Sequence, residues 1–298
     1  MPRRFVTLDV FTDTPLAGNP LAVVLDAEEL SDGQMQAIAR EFNLSETVFI
    51  RPPGDAERRA DMRIFTPARE LPFAGHPTVG AAVLLALRDG LMASERFALG
   101  EAIGPVECQV IAMGEGVGQV RFRLPRLPQS IGQPADDASL AAALGLDPGE
   151  IGFEGHRPSV MSAGVGFTFI PVSGRDALAR AWPIMPRWGA IQPRDHANAF
   201  VYCREPGNPD HHFRARMFAP DMGIMEDPAT GGAVAAFAGV VMACDRPADG
   251  VHRLMIGQGY ERGRPSDIEL TLEVRGGAFA AAHIGGAAVI ISEGKLLF

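Results

Sequence analysis

The sequence predicts an α+β protein built as two like units, each a set of strands leading into one central apolar helix. Three observations predict it. The pattern R-x-F-x-P occurs twice, as Arg63-Ile64-Phe65-Thr66-Pro67 and as Arg216-Met217-Phe218-Ala219-Pro220. A strand-like run precedes each copy at the same offset, Thr47-Val48-Phe49-Ile50 in one and Phe200-Val201-Tyr202-Cys203 in the other. A glycine-containing step follows each and opens into an apolar run, Val79–Leu87 and Val234–Cys244. Similarity at so long a period means two copies of a unit, not one long domain.

The elements follow in order. Residues 4–11 alternate as a strand, and the turn formers Pro15, Gly18, Asn19 and Pro20 make a loop before a second strand at 21–25. Ser31 opens a helix in which Met35, Ile38, Ala39 and Phe42 share a face. Asn43-Leu44-Ser45-Glu46-Thr47 then leads into the first repeated strand. After the apolar helix, residues 97–124 read as strands joined by turns at Gly104-Pro105 and at Gly114-Glu115-Gly116, the latter a hairpin. The proline-rich segment 125–134 marks the boundary between halves. Beyond it come a helix at 139–146 stopped by Asp147-Pro148-Gly149, a strand at 164–171 and a helix at 175–181. Late strands are expected at 253–256 and 268–274, and a final one at 287–292 that returns to the first sheet. The halves are therefore placed at 1–124, joined by 286–298, and at 125–285.

Composition narrows the function. A chain of 298 residues with 47% hydrophobic residues suits two domains with cores of their own. Its net charge of -9 argues against a nucleic-acid partner. The longest uncharged apolar stretch, Gly231–Cys244, is too short to span a membrane, and no signal peptide is recognised, so a cytoplasmic protein is expected. Cys108, Cys203 and Cys244 are widely spaced and are expected reduced and buried. No stretch points to a metal, flavin, nicotinamide or pyridoxal phosphate site, and the adjacent His211-His212 lacks ligand spacing.

Two stretches carry candidate chemistry. Glu226-Asp227-Pro228-Ala229-Thr230-Gly231-Gly232 reads as a helix start whose unpaired N–H groups would hold an anion such as a carboxylate or enolate. On a purely structural reading, Asp227 caps the helix and Pro228 lies in its first turn. Gly75-His76-Pro77 stands at the other helix start, where an imidazole can donate to an anion, shuttle a proton or simply cap the helix. Glu46, at the mouth of a strand, can exchange a proton with a ligand; its spacing from Asn43 equally suits a capping arrangement. A site between the two helix starts is expected.

With these residues identified, the sequence resembles the PhzF-like isomerases named for phenazine biosynthesis, which have the diaminopimelate-epimerase-like fold. The resemblance covers nearly the whole chain. It rests on Asp9-Val10-Phe11-Thr12, Gly18-Asn19-Pro20-Leu21-Ala22-Val23, Asn43-Leu44-Ser45-Glu46-Thr47, Ala74-Gly75-His76-Pro77-Thr78, Glu226-Asp227-Pro228-Ala229-Thr230-Gly231 and Gln258-Gly259 with Gly263-Arg264-Pro265-Ser266. It implies two similar halves, each a curved, mostly antiparallel sheet wrapped around a central helix. It also implies Glu46 as general acid and base, with His76 and Asp227 positioning substrate and tuning protons. Gly75, Pro77, Thr78, Thr230, Gly231 and Gly232 would bind the substrate. At Gly232 this chain departs from the family, which commonly has serine; the hydroxyl is gone and the backbone N–H stays. Related epimerases use paired cysteines at positions that correspond here to Ala74 and Thr230, so that chemistry is not expected.

The resulting expectation is a cofactor-free isomerase moving a proton between carbons of a small cyclic unsaturated carboxylate, of the trans-2,3-dihydro-3-hydroxyanthranilate type, in a homodimer. Two alternatives stand beside it. One is an amino or hydroxy acid epimerase or racemase using Glu46 and Asp227 as two bases; the other is a small-acid binding protein without turnover.

Overall fold

A computed structural model describes residues 2–191, 197–204 and 210–298. Two units emerge: Met1–Pro125 with Ile284–Phe298, and Arg126–His283.

In the first unit β1 (Arg3–Val10) pairs antiparallel with β2 (Asn19–Val24), which lies parallel to β3 (Glu46–Arg51). Strand β3 is antiparallel to β4 (Arg58–Phe65), which also takes the two-residue β5 (Glu70–Leu71). Between β2 and β3, α1 (Asp32–Phe42) starts at a capping box in which the Gln34 N–H donates to Ser31 Oγ and the Ser31 N–H donates to Gln34 Oε1. It ends at Asn43 in the left-handed region, φ 50°. Asn43 therefore closes α1 and Glu46 opens β3, so the capping arrangement weighed for that pair does not form.

After α2 (Gly75–Asp89) come β6 (Arg96–Glu101), parallel to β4, and the antiparallel β7 (Gly104–Met113) and β8 (Val117–Arg123). Helix α2 is buried from Gly75 through Leu84 and packs on β1, β2, β3, β7 and β8. A Cβ at Gly80 would lie 2.5 Å from Leu21 Cδ2 and 2.8 Å from Val10 Cγ2. Glycine there lets the helix approach the sheet.

The second unit opens with β9 (Gln129–Gly132), a strand that the proline-rich composition conceals, and α3 (Asp137–Leu144). Asp147-Pro148-Gly149 is not a bare stop, because Pro148–Glu150 makes a 3-10 turn. Strand β10 (Ser159–Ser162) is antiparallel to β11 (Gly166–Pro171), and α4 (Arg175–Arg180) follows. Then β12 (Ala199–Arg204) runs parallel to β11 and antiparallel to β13 (Phe213–Ala219), on which the short β14 (Ile224–Asp227) pairs. Helix α5 (Gly231–Cys244) coincides with the uncharged run and packs on β9, β10 and β11. Its Phe237 ring lies 4.7 Å from Tyr202 and 4.9 Å from Phe213. Strand β15 (Gly250–Gln258) is parallel to β13 and antiparallel to β16 (Ser266–Arg275).

The last strand, β17 (Ala278–Leu296), pairs antiparallel with β1 and also with β8. In the first unit the pairings therefore return to their start around α2. Both units repeat one order: antiparallel, parallel, antiparallel, parallel, antiparallel.

The repeated R-x-F has a physical cause. Side chains two apart on a strand share a face, so Arg63 sits 5.1 Å over the Phe65 ring and Arg216 4.9 Å over that of Phe218. Each arginine then grips a glutamate of the short neighbouring strand with two bonds, Arg63 to Glu70 at 2.6 Å and Arg216 to Glu226 at 2.9 Å. The environments differ. Arg216 and Glu226 are buried at 4% and 2% exposure, while Arg63 and Glu70 stand at 22% and 36%.

Among the described residues no helix is long and apolar enough to cross a membrane. Cys108 and Cys203 are buried and in no disulfide, but Cys244, in the last turn of α5, is partly exposed, contrary to expectation.

Candidate active site

In the first unit, β3 and α2 bring Glu46 and His76 together. The side chains are 12% and 3% exposed, and Glu46 Oε2 lies 2.9 Å from His76 Nδ1. The two atoms meet off the hydrogen-bonding axis, so the contact is one of proximity between a carboxyl group and an imidazole. The other ring nitrogen, Nε2, is buried with no hydrogen-bond partner among the described residues. Buried polar atoms seldom go unpaired in a finished structure, which makes this nitrogen a candidate contact for a ligand.

Gly75, His76 and Pro77 are the first three residues of α2, and no side chain caps it at Ala74. His76 is thus not the cap that the sequence allowed. Pro77 comes third in the helix, still within the first turn, where its missing N–H costs no helical bond. The uncapped Gly75 and His76 amides add the partial positive charge of the helix start to the neighbourhood of Glu46.

The second unit has its own helix start. Asp227 does not cap α5, because the helix begins at Gly231 and Asp227 ends β14; the cap position belongs to Thr230. Pro228 accordingly lies before the helix. Asp227 is buried, and its Oδ2 accepts the Thr230 hydroxyl at 2.6 Å. Gln258, at the end of β15, ties this turn together. Its amide nitrogen donates to the Asp227 carbonyl at 2.8 Å and to Thr230 Oγ1 at 3.1 Å, and its oxygen accepts the Thr230 N–H at 3.2 Å.

Gly231 and Gly232 follow without a side-chain cap, and a Cβ on Gly232 would meet nothing within 4 Å. The departure from serine there is therefore not imposed by crowding. Gly259 is different: at φ +80°, a Cβ would lie 2.3 Å from the Arg264 carbonyl oxygen and 2.6 Å from that of Pro228. Only glycine lets the Gln258 turn pass so close to the Asp227 loop.

Sequence reasoning listed Gln258, Arg216 and Glu226 inside motifs without giving them a role. Arg216 also donates to the carbonyls of Leu178, Ala179 and Ala181 at 3.2, 3.0 and 2.7 Å, which ties the end of α4 to β13. Nothing in the local pattern separates such a buried arginine from an exposed one. Arg216 was signalled only by the repeat, and Glu226 and Gln258 only by the motifs around residues 226–231 and 258–259. Glu101, buried and hydrogen-bonded to Thr78, had no signal at all.

Each unit therefore presents an uncapped helix start beside an acid, the partly buried Glu46 in the first and the buried Asp227 in the second. The first can exchange a proton through Glu46 and His76; the second can bind negative charge through amides held by Asp227, Thr230 and Gln258.

Comparison with known proteins places the chain in a family. The model of the family described as phenazine biosynthesis-like protein matches residues 8–294. The chain is 49% identical to an uncharacterised isomerase of Mesorhizobium japonicum, over 99% of this chain and 98% of that one. It is 34% identical to the trans-2,3-dihydro-3-hydroxyanthranilate isomerase of Pseudomonas aeruginosa, over 98% of both. The crystal structure of a phenazine biosynthesis protein of the PhzF family from Bacillus anthracis superimposes with a TM-score of 0.89 at 25% identity, covering all of both chains. The α+β fold, the whole-length match and the isomerase relatives agree: this chain belongs to the phenazine biosynthesis-like, or PhzF, family and is an isomerase.

Proposed function

We propose that this isomerase works without a cofactor, moving a proton between carbons of a small cyclic unsaturated carboxylate. The observation that carries the reading is Glu46 Oε2 at 2.9 Å from His76 Nδ1 on the first turn of an uncapped helix. In this reading Glu46 removes a proton from one carbon and returns it to another. His76 lies against the Glu46 carboxyl through Nδ1 and offers Nε2 to the substrate. In each unit the amides at the helix start, Gly75 in the first and Gly231 with Gly232 in the second, offer partners for a substrate carboxylate or for the negative charge that develops as the proton leaves. Asp227, Thr230 and Thr78 keep those helix starts in place, and Pro77 packs the first turn. The named activity of the Pseudomonas relative makes trans-2,3-dihydro-3-hydroxyanthranilate the first substrate to try. The reading extends to a homodimer on the strength of the family resemblance, which light scattering on the purified chain checks.

The test is NMR in heavy water with that compound and a panel of small unsaturated carboxylates, comparing wild type with Glu46→Gln. Deuterium entering at a second carbon, in the wild type alone, is the expected result. Deuterium confined to one inverted centre would replace the isomerase reading by the epimerase one, with Asp227 as second base. Binding without exchange in either protein would leave a small-acid binding protein.

A further inference from the structure

Glu101, the last residue of β6, is buried against the start of α2, at 8% exposure. Its Oε1 lies 2.7 Å from Thr78 Oγ1, and Thr78 Oγ1 lies 2.8 Å from the Ala74 carbonyl oxygen. A threonine hydroxyl carries one hydrogen. The Ala74 carbonyl can only accept, so a hydroxyl committed to it has only its lone pairs to offer Glu101. For both contacts to be hydrogen bonds, the carboxyl group must be the one that brings the second proton.

The remaining surroundings favour the neutral acid as well. Glu101 Oε2 is buried with no hydrogen-bond partner among the described residues, and the buried thiol of Cys108 on β7 is close enough to feel its charge. The groove that reaches Glu101 is also lined by Arg51, Arg58, Asp61, Arg63 and Glu70. Of these cations Arg58 is engaged by Asp61 at 2.9 Å, and Arg63 by Glu70 and Asp32. Among the described residues no ion pair reaches Glu101. A carboxylate with one hydrogen bond and one bare buried oxygen is a poor resident of such a place.

We propose that Glu101 is a positioning residue held as the neutral acid, donating its proton to Thr78 so that the Thr78 hydroxyl stays locked on the Ala74 carbonyl. Ala74 is the residue before Gly75 and His76, so this chain of two hydrogen bonds anchors the turn that carries the imidazole to Glu46. Loss of the Glu101 proton turns the Thr78 hydroxyl toward the new carboxylate, and the Ala74 carbonyl loses that bond. The change loosens the helix start and puts a negative charge behind it. Burial pushes the Glu101 carboxyl up to about 8, with the Thr78 contact opposing, which places the transition just above neutral pH. The consequence for turnover rests on the reading of Glu46 and His76 as the proton-transfer pair; the protonation of Glu101 does not.

The test uses the full chain with glutamate labelled at the side-chain carboxyl carbon, followed by NMR from pH 5 to 10 beside Glu101→Gln. The expected result is a carboxyl signal, absent from the variant, that titrates near pH 8. His76 ring signals should shift with the same midpoint in the wild type and not in Glu101→Gln, whose amide donates to Thr78 at every pH. Should that variant not fold, Thr78→Val serves instead, because removing the hydroxyl raises the midpoint of the same single signal. A Glu101 signal already in the ionised range at pH 6, or His76 signals indifferent to it, overturns the proposal. In the exchange assay, Glu101→Gln should lose the fall in kcat above pH 8 relative to its own value at pH 6.5. A titration near 8 without turnover of any substrate would count against the isomerisation reading and leave the protonation of Glu101 standing.

Discussion

Removing Arg216 and removing Arg63 should carry very different costs, although both belong to the same repeated motif. Arg216 is bound by both oxygens of Glu226 and by three carbonyls, with the two side chains at 4% and 2% exposure. Arg216→Met leaves the Glu226 carboxylate buried and without its cation, a loss of about 3–5 kcal/mol. Arg63 is 22% exposed and its partners Glu70 and Asp32 reach water, at 36% and 84%. Arg63→Met therefore costs about 0–1 kcal/mol from the ion pairs and about 0.5–1 kcal/mol from the stacking on Phe65.

The assay is urea unfolding, since guanidinium would screen the charges being compared. Both tryptophans of the chain, Trp182 and Trp188, lie in the second unit, and Arg216 sits 5.8 Å from the Trp182 ring. Their fluorescence reports the Arg216 variant, and far-UV circular dichroism follows Arg63→Met. The double variant Arg216→Met with Glu226→Leu should be more stable than Arg216→Met alone, because no buried charge is left over. Equal losses from the two arginines, or a double variant weaker than the single one, would refute the reasoning.

Three further outcomes are expected. Gln258→Leu leaves the Asp227 carbonyl and the Thr230 N–H without their partner at about 1–3 kcal/mol per group, and weakens binding of a carboxylate by the start of α5, read by titration calorimetry. Gly259→Ala forces a Cβ against two carbonyl oxygens at positive φ and should cost at least about 1–3 kcal/mol, visible as a lower midpoint in the same urea experiment. In the second unit His156 is buried, with Nδ1 2.9 Å from Tyr202 Oη and Nε2 3.0 Å from Asp245 Oδ1. Burial opposes its charge, but Asp245 and Cys244 raise it to about 9. A folded-state value above the ordinary 6.5 means stability that is complete below pH 6.5 and is lost as pH rises through 9. The tryptophan-monitored midpoint should fall over that window, and a flat response in the wild type, or one retained in His156→Gln, would contradict it.

How much of this was legible in the sequence depended on whether the cause was local. Helix α5 coincides with the run Gly231–Cys244 because a helix buried along most of its length must be apolar on nearly every face. Ser31 announced the start of α1, and the spacing of Arg63 from Phe65 and of Arg216 from Phe218 put each pair on one strand face. Where a neighbour in space set the answer, the pattern misled or fell silent. Asp227-Pro228 looks like a helix cap, yet pairing of β14 with β13 holds Asp227 in a strand and leaves the cap position to Thr230. The segment around Gln129 looks like a linker, yet β10 recruits it as a strand.

The site divides in the same way. The residue types at 46, 75–78 and 226–232 pointed to a carboxylate, an imidazole and two anion-binding helix starts, because those capacities belong to the side chains and to helix geometry. Only the folded chain decides that Glu46 lies 2.9 Å from His76, that Gln258 joins Asp227 in tying down the start of α5, and that Glu101 lies buried beneath Thr78. Those partners are 23 to 31 residues apart in the chain, and Glu46 and His76 similarly come from different elements. Distance along the sequence carries no information about distance across a sheet; burial, and with it the protonation state of a carboxyl group, exists only once the sheet has closed over it.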